Sequence, residues 1–70
     1  MKIIVNGEEK EVTAATVTEL LSELKVRSPE QVAVELNGDI LDRKIFDHTA
    51  VKEGDQLEFI YFMGGGHGAY

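Results

Sequence analysis

The feature that most constrains this chain is the apolar run at residues 57–63, which is followed at once by three glycines, Gly64 to Gly66. The run is rich in aromatic and long aliphatic side chains, a composition typical of a strand at the centre of a sheet. Glycine has no side chain and a wide range of backbone conformations, so the glycine run indicates a thin and flexible segment. The sequence therefore predicts a central strand that leads into an accessible tail.

The chain has 70 residues, which suits one small domain that buries roughly 60% of the surface exposed by its unfolded form. It has no cysteine, which excludes disulfides, thiolate metal sites and a cysteine nucleophile. No apolar run approaches the ~20 residues of a membrane span, and the residues after Met1-Lys2 do not form a signal peptide. We therefore expect a cytoplasmic protein with no membrane partner.

Acidic residues outnumber basic ones by 13 to 7, which gives a formal net charge of −6. Contacts to phosphates need clustered lysine and arginine, so we expect no role in nucleic-acid binding. An acidic chain instead favours a partner with a basic surface, although the same charge would also serve solubility alone.

The first part of the chain predicts a β-hairpin followed by a short helix. Lys2 to Val5 form an apolar strand, Asn6-Gly7 is the typical two-residue hairpin turn, and residues 8–12 form a more polar returning strand near an edge. Thr16 and Glu19 have the spacing of a capping box, which predicts a helix of two to three turns. An apolar stripe (Val17, Leu20, Leu21, Leu24), basic residues near the C-terminal end (Lys25, Arg27) and a terminating Pro29 complete this helix.

The second part predicts another hairpin and then the final strand. Asn37-Gly38 is a hairpin turn between the strands at residues 32–36 and 39–41. Residues 42–51 have no clean period, so we expect an irregular segment with a single helical turn. Its buried anchors are predicted to be Ile45, Phe46 and Val51, and Glu53-Gly54-Asp55 forms the tight turn before the last strand.

This order of elements predicts an α+β fold of the β-grasp type. A mixed sheet of about five strands has one main helix packed on one face, and the first and last strands pair in parallel at its centre. Residues 1–63 would form the domain and residues 64–70 a flexible glycine-rich tail. Large apolar side chains alternate onto both faces of the last strand, so the uncovered face would expose aromatic residues to a partner. The alternative is that residues 42–51 cover this face.

The sequence gives little support for catalysis by the chain itself. His48 and His67 are far apart and have no carboxylate cluster at metal-ligand spacing. The glycine run is followed by neither a helix nor a lysine, so it is not a phosphate-binding loop. We expect no enzymatic activity, no bound cofactor and no metal. The glycine run is then either a simple linker or a substrate, thin enough for another enzyme's active site to reach its carboxylate and activate it with ATP.

The chain resembles the ThiS family of sulfur carriers over residues 1–66. Members of this family are ubiquitin-like β-grasp proteins related to MoaD. The segments on which the resemblance rests are MKIIVNGE at 1–8, Thr16-Val17 before Glu19-Leu20-Leu21, VAVELNG at 32–38, Arg43, Gly54-Asp55, and the apolar strand that closes on glycines.

The resemblance implies a definite role for the end of the chain. In the family, a ThiF-type enzyme adenylates the terminal glycine carboxylate with ATP, a sulfur donor enzyme converts it to a thiocarboxylate, and a ThiG-type synthase uses the sulfur to build the thiazole of thiamin. By this resemblance Gly66 would bear the thiocarboxylate and Gly65 would precede it in the partner's channel. Gly64, Met63 and Phe62 would belong to the tail and the docking surface at its base.

The sequence departs from the family at His67-Gly68-Ala69-Tyr70, which place Gly66 inside a peptide bond. Either a processing peptidase removes these residues, or the chain is not a working carrier as encoded, or the four residues derive from a vector. Two other functions stay open from the sequence. The sulfur could serve another pathway, such as molybdopterin or homocysteine synthesis, or the domain could be an interaction module that transfers nothing.

Overall fold

The computed structural model describes residues 1–61 as a five-stranded mixed sheet with one α-helix on one face. The strands lie in the order β2-β1-β5-β3-β4. This is the β-grasp arrangement that the order of elements predicts. The elements are β1 (Lys2–Val5), β2 (Glu8–Glu11), α1 (Val17–Glu23), a 3₁₀ turn (Pro29–Gln31), β3 (Val32–Leu36), β4 (Asp39–Ile40), a 3₁₀ helix (Arg43–His48) and β5 (Gln56–Tyr61).

Both predicted hairpins are confirmed, and the backbone shows why their turns need asparagine and glycine. Asn6 and Gly7 have φ angles of 51° and 83°, and Asn37 and Gly38 have φ angles of 52° and 92°. A tight two-residue turn that matches the twist of its strands requires positive φ at both positions, which glycine and asparagine adopt most readily. The returning strand β2 lies at an edge as predicted, and it ends at Glu11, one residue earlier than expected.

The last strand, β5, lies at the centre of the sheet, as its composition predicts. It pairs in parallel with β1, where Val5 lies opposite Leu57, and antiparallel with β3 from Leu36 opposite Leu57 to Val32 opposite Tyr61. The strand begins at Gln56, one residue before the apolar run. The predicted continuation through residues 62 and 63, and the predicted flexible tail at 64–70, lie outside the described residues.

Helix α1 begins with a variant of the predicted capping box. The Thr16 hydroxyl accepts a hydrogen bond from the Glu19 N–H (3.2 Å), and the Glu19 carboxylate accepts from the N–H of Ala15 (2.9 Å), one residue before the helix cap. The helix ends at Glu23, and Lys25 already has a φ of 57°. Lys25 and Arg27 are therefore near the C-terminal end of the helix, as predicted, but lie just beyond its last turn.

The core lies between α1 and one face of the sheet. The 3₁₀ helix packs beside α1 in the same layer, and it buries Phe46 while Ile45 stays 44% exposed. The prediction of Ile45 as a buried anchor is wrong, since a tight 3₁₀ helix can turn only one side towards the core, whereas the predictions for Phe46 and Val51 are confirmed. The core residues are Ile3, Val5, Val12, Ala14, Val17, Leu20, Leu21, Val26, Val32, Val34, Phe46, Val51, Leu57 and Phe59.

Candidate functional site

The residues predicted to form the site all follow strand β5. Phe62, Met63, Gly64, Gly65 and Gly66 lie outside the described residues, and their roles stay predictions. The structure describes the strand that leads to them, up to Tyr61, together with the surfaces on both sides of that strand. The contacts of β5 with its neighbours fix the position of Tyr61, from which the chain continues to the predicted site residues.

Main-chain hydrogen bonds from both neighbours hold the first half of β5. On the β1 side, the Ile4 N–H donates to the Asp55 carbonyl (2.9 Å) and the Asn6 N–H donates to the Leu57 carbonyl (3.0 Å). On the β3 side, the Asn37 N–H donates to the Gln56 carbonyl (2.7 Å). The strand is therefore bonded on both flanks as it enters the sheet.

The two turn asparagines extend this bonding with their side chains. The Asn6 carboxamide oxygen accepts from the Phe59 N–H at 2.9 Å, just past the point where β1 ends. The Asn37 carboxamide oxygen accepts from the Gln56 N–H at 2.9 Å, and its amide donates to the Asp55 carboxylate at 3.1 Å. Each asparagine side chain thus accepts a hydrogen bond from β5 at a position where the backbone of the turn cannot do so. Sequence reasoning identified both residues only as turn formers, because the side-chain bonds depend on β5 lying between the two hairpins.

Arg43 stabilises the neighbouring strand where it faces the end of β5. Its guanidinium donates to the carbonyl oxygens of Pro29 and Val32, each at 2.6 Å, and lies over the Phe46 ring at 5.3 Å from the centroid. Val32 is the residue opposite Tyr61, the last described residue of β5. Arg43 therefore fixes the start of β3 beside the point where β5 leads to the site residues. The resemblance marked Arg43 but gave it no role.

The face of the sheet opposite α1 is uncovered in the described part of the chain. Leu57 and Phe59 of β5 are buried against the helix layer, and Glu58 and Ile60 are exposed on the other side. Phe59 and Tyr61 both face the helix and so do not supply the expected aromatic patch, whereas Phe62 lies outside the described residues. Residues 42–51 do not cover this face either, since their 3₁₀ helix packs beside α1.

Carboxylates and aliphatic side chains share this uncovered face. Across β3 and β5, Glu35 lies directly opposite Glu58, and Ala33 lies opposite Ile60. A shallow groove runs between the two hairpin turns, and its lining includes Ile4, Glu35 and Glu58. The resulting surface is acidic around a small apolar centre.

At the β1–β2 edge the amino group of Met1 forms an ion pair with Glu11 at 2.9 Å. The hydrogen bond from the amine lowers the pKa of Glu11, and the same bond raises the pKa of the amine. Both groups are accessible to solvent, so screening keeps the pair weak.

Neither a metal site nor a membrane span appears among residues 1–61. No three histidine, cysteine or carboxylate side chains of this part of the chain are grouped so that they could hold a metal ion. Its helices are also too short and too polar to cross a bilayer.

Comparison with known proteins supports the same fold and names a family. A crystal structure of the thiamine biosynthesis protein ThiS from Geobacter metallireducens superposes with a TM-score of 0.83 at 56% identity, covering 94% of this chain and 100% of that chain. A solution NMR structure of a thiamine biosynthesis protein from the same organism superposes with a TM-score of 0.75 at 56% identity, covering 94% of this chain and 88% of that chain.

Two curated relatives are named thiazole synthase. The one from Paramagnetospirillum magneticum is 46% identical over 67 residues, and the one from Magnetococcus marinus is 39% identical over 66 residues. Each match covers 94% of this chain, and the chain spans about a fifth of the length of these relatives (20% of each). The model of the ThiS family matches residues 3–66, nearly the whole sequence. The chain belongs to the ThiS family.

Proposed function

We propose that this chain is a sulfur carrier of thiamin biosynthesis whose Gly66 carboxylate is adenylated and then converted to a thiocarboxylate. The observation that supports this most is the extent of the family match, which runs from residue 3 to Gly66 and so includes the whole glycine run. The Geobacter relative at 56% identity, named a thiamine biosynthesis protein, supports thiamin as the product pathway.

The proposed chemistry requires no acid–base or nucleophilic side chain from the carrier itself. A free carboxylate is a poor acyl electrophile, so an activating enzyme of the ThiF type first joins it to the α-phosphate of ATP and releases pyrophosphate. Sulfide supplied by a donor enzyme then attacks the acyl carbon, the bond to the phosphate oxygen breaks and AMP leaves, and the sulfur stays on Gly66 as the thiocarboxylate. The carrier contributes positioning, because its docked body holds the acyl group in the partner's site. ATP belongs to the activating enzyme, and the carrier binds no cofactor.

The described structure is suited to that positioning role. Strand β5 is central, is bonded to β1 and β3, and receives side-chain hydrogen bonds from Asn6 and Asn37. A strand held in this way starts the last part of the chain from a fixed place on the domain. Gly65 and Gly66 then suit a narrow channel because they have no Cβ atom.

The proposed client is a ThiG-type thiazole synthase. Both curated relatives bear the name thiazole synthase, and a segment like this chain makes up about a fifth of each (20%). Carrier and synthase sequences within one relative would suit a direct transfer of sulfur between them. The present chain would make the same transfer as a partner of the synthase.

Activation requires a free carboxylate on Gly66, which in this sequence is followed by His67-Gly68-Ala69-Tyr70. The proposal therefore includes a peptidase that hydrolyses the bond between Gly66 and His67. A chain that retains these four residues would not be adenylated at Gly66.

Mass spectrometry of the intact protein tests the proposal directly. A chain ending at Gly66 keeps every core residue of the described fold, and it is incubated with ATP, a ThiF-type enzyme and sulfide. We expect the mass change of one oxygen exchanged for sulfur, while the control chain ending at Tyr70 stays unchanged. The absence of both adenylate and thiocarboxylate on the Gly66-terminated chain would contradict the proposal. Adding a ThiG-type synthase, or in parallel a molybdopterin synthase, then shows which client discharges the sulfur.

A further inference from the structure

We propose that the Tyr70 side chain binds in a groove at the C-terminal end of α1 and so closes residues 62–69 into a loop on the domain. The loop withholds the glycine run from an activating enzyme until the bond between Gly66 and His67 is hydrolysed. The anchor is inferred from the groove and from the composition of the last nine residues, which lie outside the described part of the chain. Only the withholding role rests on the proposed function.

The groove lies between the end of α1 and the 3₁₀ turn that precedes β3, and its volume is about 420 Å³. Its lining combines three apolar and three polar side chains, namely Leu21, Val26, Pro29, Thr18, Ser22 and Lys25. Leu21 and Val26 are 6% and 8% exposed, so the apolar part of the groove is fixed in the core. An apolar wall with a few polar groups suits a side chain that has an aromatic ring and a polar tip.

The groove lies near the place where β5 leaves the sheet. Tyr61 is paired with Val32, and Pro29 precedes Val32 by three residues. Three residues of chain and one strand spacing put Pro29 within roughly 17 Å of Tyr61. The chain from Tyr61 to Tyr70 can span roughly 30 Å when extended. Tyr70 can therefore reach the groove with length to spare for a reversal at the glycine run, where the backbone bends readily.

Tyr70 is the residue of segment 64–70 whose side chain can fill this groove. The other residues of the segment are four glycines, one alanine and one histidine. The face of an aromatic ring attracts a cation, and Lys25 supplies one at the groove. Lys25 is exposed and forms no ion pair with another residue of the described range 1–61, so its ammonium group is available to the ring.

The groove between the two hairpin turns suits this side chain less well. Its lining includes Gln56 and Leu57, at the start of β5, whereas the tail follows the other end of that strand. It is also lined by the carboxylates of Glu35 and Glu58, which repel the electron-rich face of a ring. Position and charge thus both favour the groove at α1.

Anchoring at both ends closes the tail, and a closed loop cannot enter a narrow channel end first. Hydrolysis opens it: water adds to the Gly66 carbonyl carbon, the bond to the His67 nitrogen breaks, and a carboxylate and a free amine result. The released peptide has four residues. A contact made by one side chain holds only while the linked chain keeps its effective concentration high, so this peptide then dissociates. The processing enzyme is therefore an endopeptidase, because the anchor shields Tyr70 from a carboxypeptidase.

NMR spectroscopy of the isotope-labelled chain of residues 1–70 tests the anchor without any enzyme. We expect nuclear Overhauser contacts between the Tyr70 ring and the methyl groups of Leu21 and Val26. The variant Tyr70→Phe should keep these contacts. In Tyr70→Ala, the methyl shifts of Leu21 and Val26 should match those of a chain that ends at Gly66.

A variant of the groove supplies the reciprocal test. Ser22 is an exposed helix residue in the lining, so Ser22→Phe fills the groove with its own ring, and Ser22→Ala, which leaves the groove open, is the matched control. Urea unfolding checks that both variants keep the fold. Release of residue 70 by a carboxypeptidase follows the fraction of chains with a free end, so we expect it to be about tenfold faster from Ser22→Phe than from the wild type. Ser22→Ala should match the wild type.

Equal methyl shifts in the full and trimmed chains, or contacts from Phe62 or Met63 in place of Tyr70, would overturn the anchor and leave the carrier function to its own test. An anchored Tyr70 together with a Gly66-terminated chain that is never adenylated would support the anchor and contradict the carrier function. For the withholding role, the full chain with Tyr70→Ala should bind a ThiF-type enzyme more tightly than the full wild-type chain. Equal affinity, or none for either chain, would overturn that role.

Discussion

Strand β5 takes part in two very different surfaces. Leu57 and Phe59 are 1% and 4% exposed and pack under α1, whereas Glu58 and Ile60, which alternate with them, point to the uncovered face. The covered face is wholly apolar in its buried part, and its residues are explained by the stability of the fold alone. The uncovered face sets two carboxylates opposite each other, which stability does not explain. Neighbouring residues on one strand thus lie in opposite environments, and the stability of the fold explains only those on the covered face.

The largest expected effect comes from truncating one side chain on each face of β5. We expect Leu57→Ala to lower the free energy of unfolding by about 3 kcal/mol, since it removes a buried side chain and leaves a cavity. The matched variant Ile60→Ala should cost about 1 kcal/mol or less, because its side chain is already in contact with solvent. Urea titration followed by circular dichroism measures both values. Equal losses would show that the two faces do not differ in the way described.

A smaller effect is expected at the edge of the covered layer, where Arg43 bonds to the Pro29 and Val32 carbonyl oxygens. We expect Arg43→Lys to lower the free energy of unfolding by about 2 kcal/mol, since one ammonium group cannot reproduce two hydrogen bonds from a planar guanidinium. Lys44→Arg, a neighbouring exposed position, serves as the control and should be neutral. A neutral Arg43→Lys would show that the guanidinium does not hold the start of β3.

The side chain of Asn6 offers a test of how β5 is held between the two faces. We expect Asn6→Gly to cost about 1 kcal/mol, because glycine keeps the positive φ of the turn but removes the acceptor for the Phe59 N–H. Asn6→Asp keeps an acceptor oxygen and should cost less than half of that. Amide hydrogen exchange at Phe59 should be faster in the glycine variant and close to wild type in the aspartate variant. Unchanged exchange at Phe59 in both variants would show that the Asn6 side chain does not hold the Phe59 N–H in a hydrogen bond.

The smallest effect is expected from the exposed ion pair between Met1 and Glu11. The raised pKa of the amine gives a contribution that is present below its ordinary value of 8.0 and is lost as pH rises through the raised value. The lowered pKa of Glu11 gives one that is present above 4.5 and is lost as pH falls through the lowered value. Glu11→Gln should therefore be slightly less stable than the wild type at pH values between these two limits, and equally stable outside them. A thermal-melt series from acid to alkaline pH would show it, and a difference that grows outside this window would contradict the assignment.

Most of the fold could be predicted because its signals are local. Asn-Gly turns, the stripe from Val17 to Leu21 and the composition of β5 each specify an element without reference to the rest of the chain. The errors arise where tertiary packing decides. Ile45 and Phe46 are adjacent and both apolar, and only the docking of the 3₁₀ helix determines which one is buried.

The register of β5 is a second case of the same kind. An alternating run shows that two faces exist, but which face lies under the helix depends on pairing with β1 and β3. The sequence therefore could not show that Phe59 and Tyr61 lie under the helix, and the opposed pair of Glu35 and Glu58 could not be anticipated. For the site itself, the separate roles of Gly65 and Gly66 are predicted only from resemblance to a family, since glycine has no side chain that could indicate a particular chemistry.

The central claim is that Gly66 becomes the acyl group that carries sulfur. The most direct test is the mass of the protein isolated from its own cell during growth without thiamin. The account predicts a chain that ends at Gly66, with one carboxylate oxygen replaced by sulfur in part of the population. A population in which every chain retains Tyr70, with no sulfur on Gly66, would contradict it.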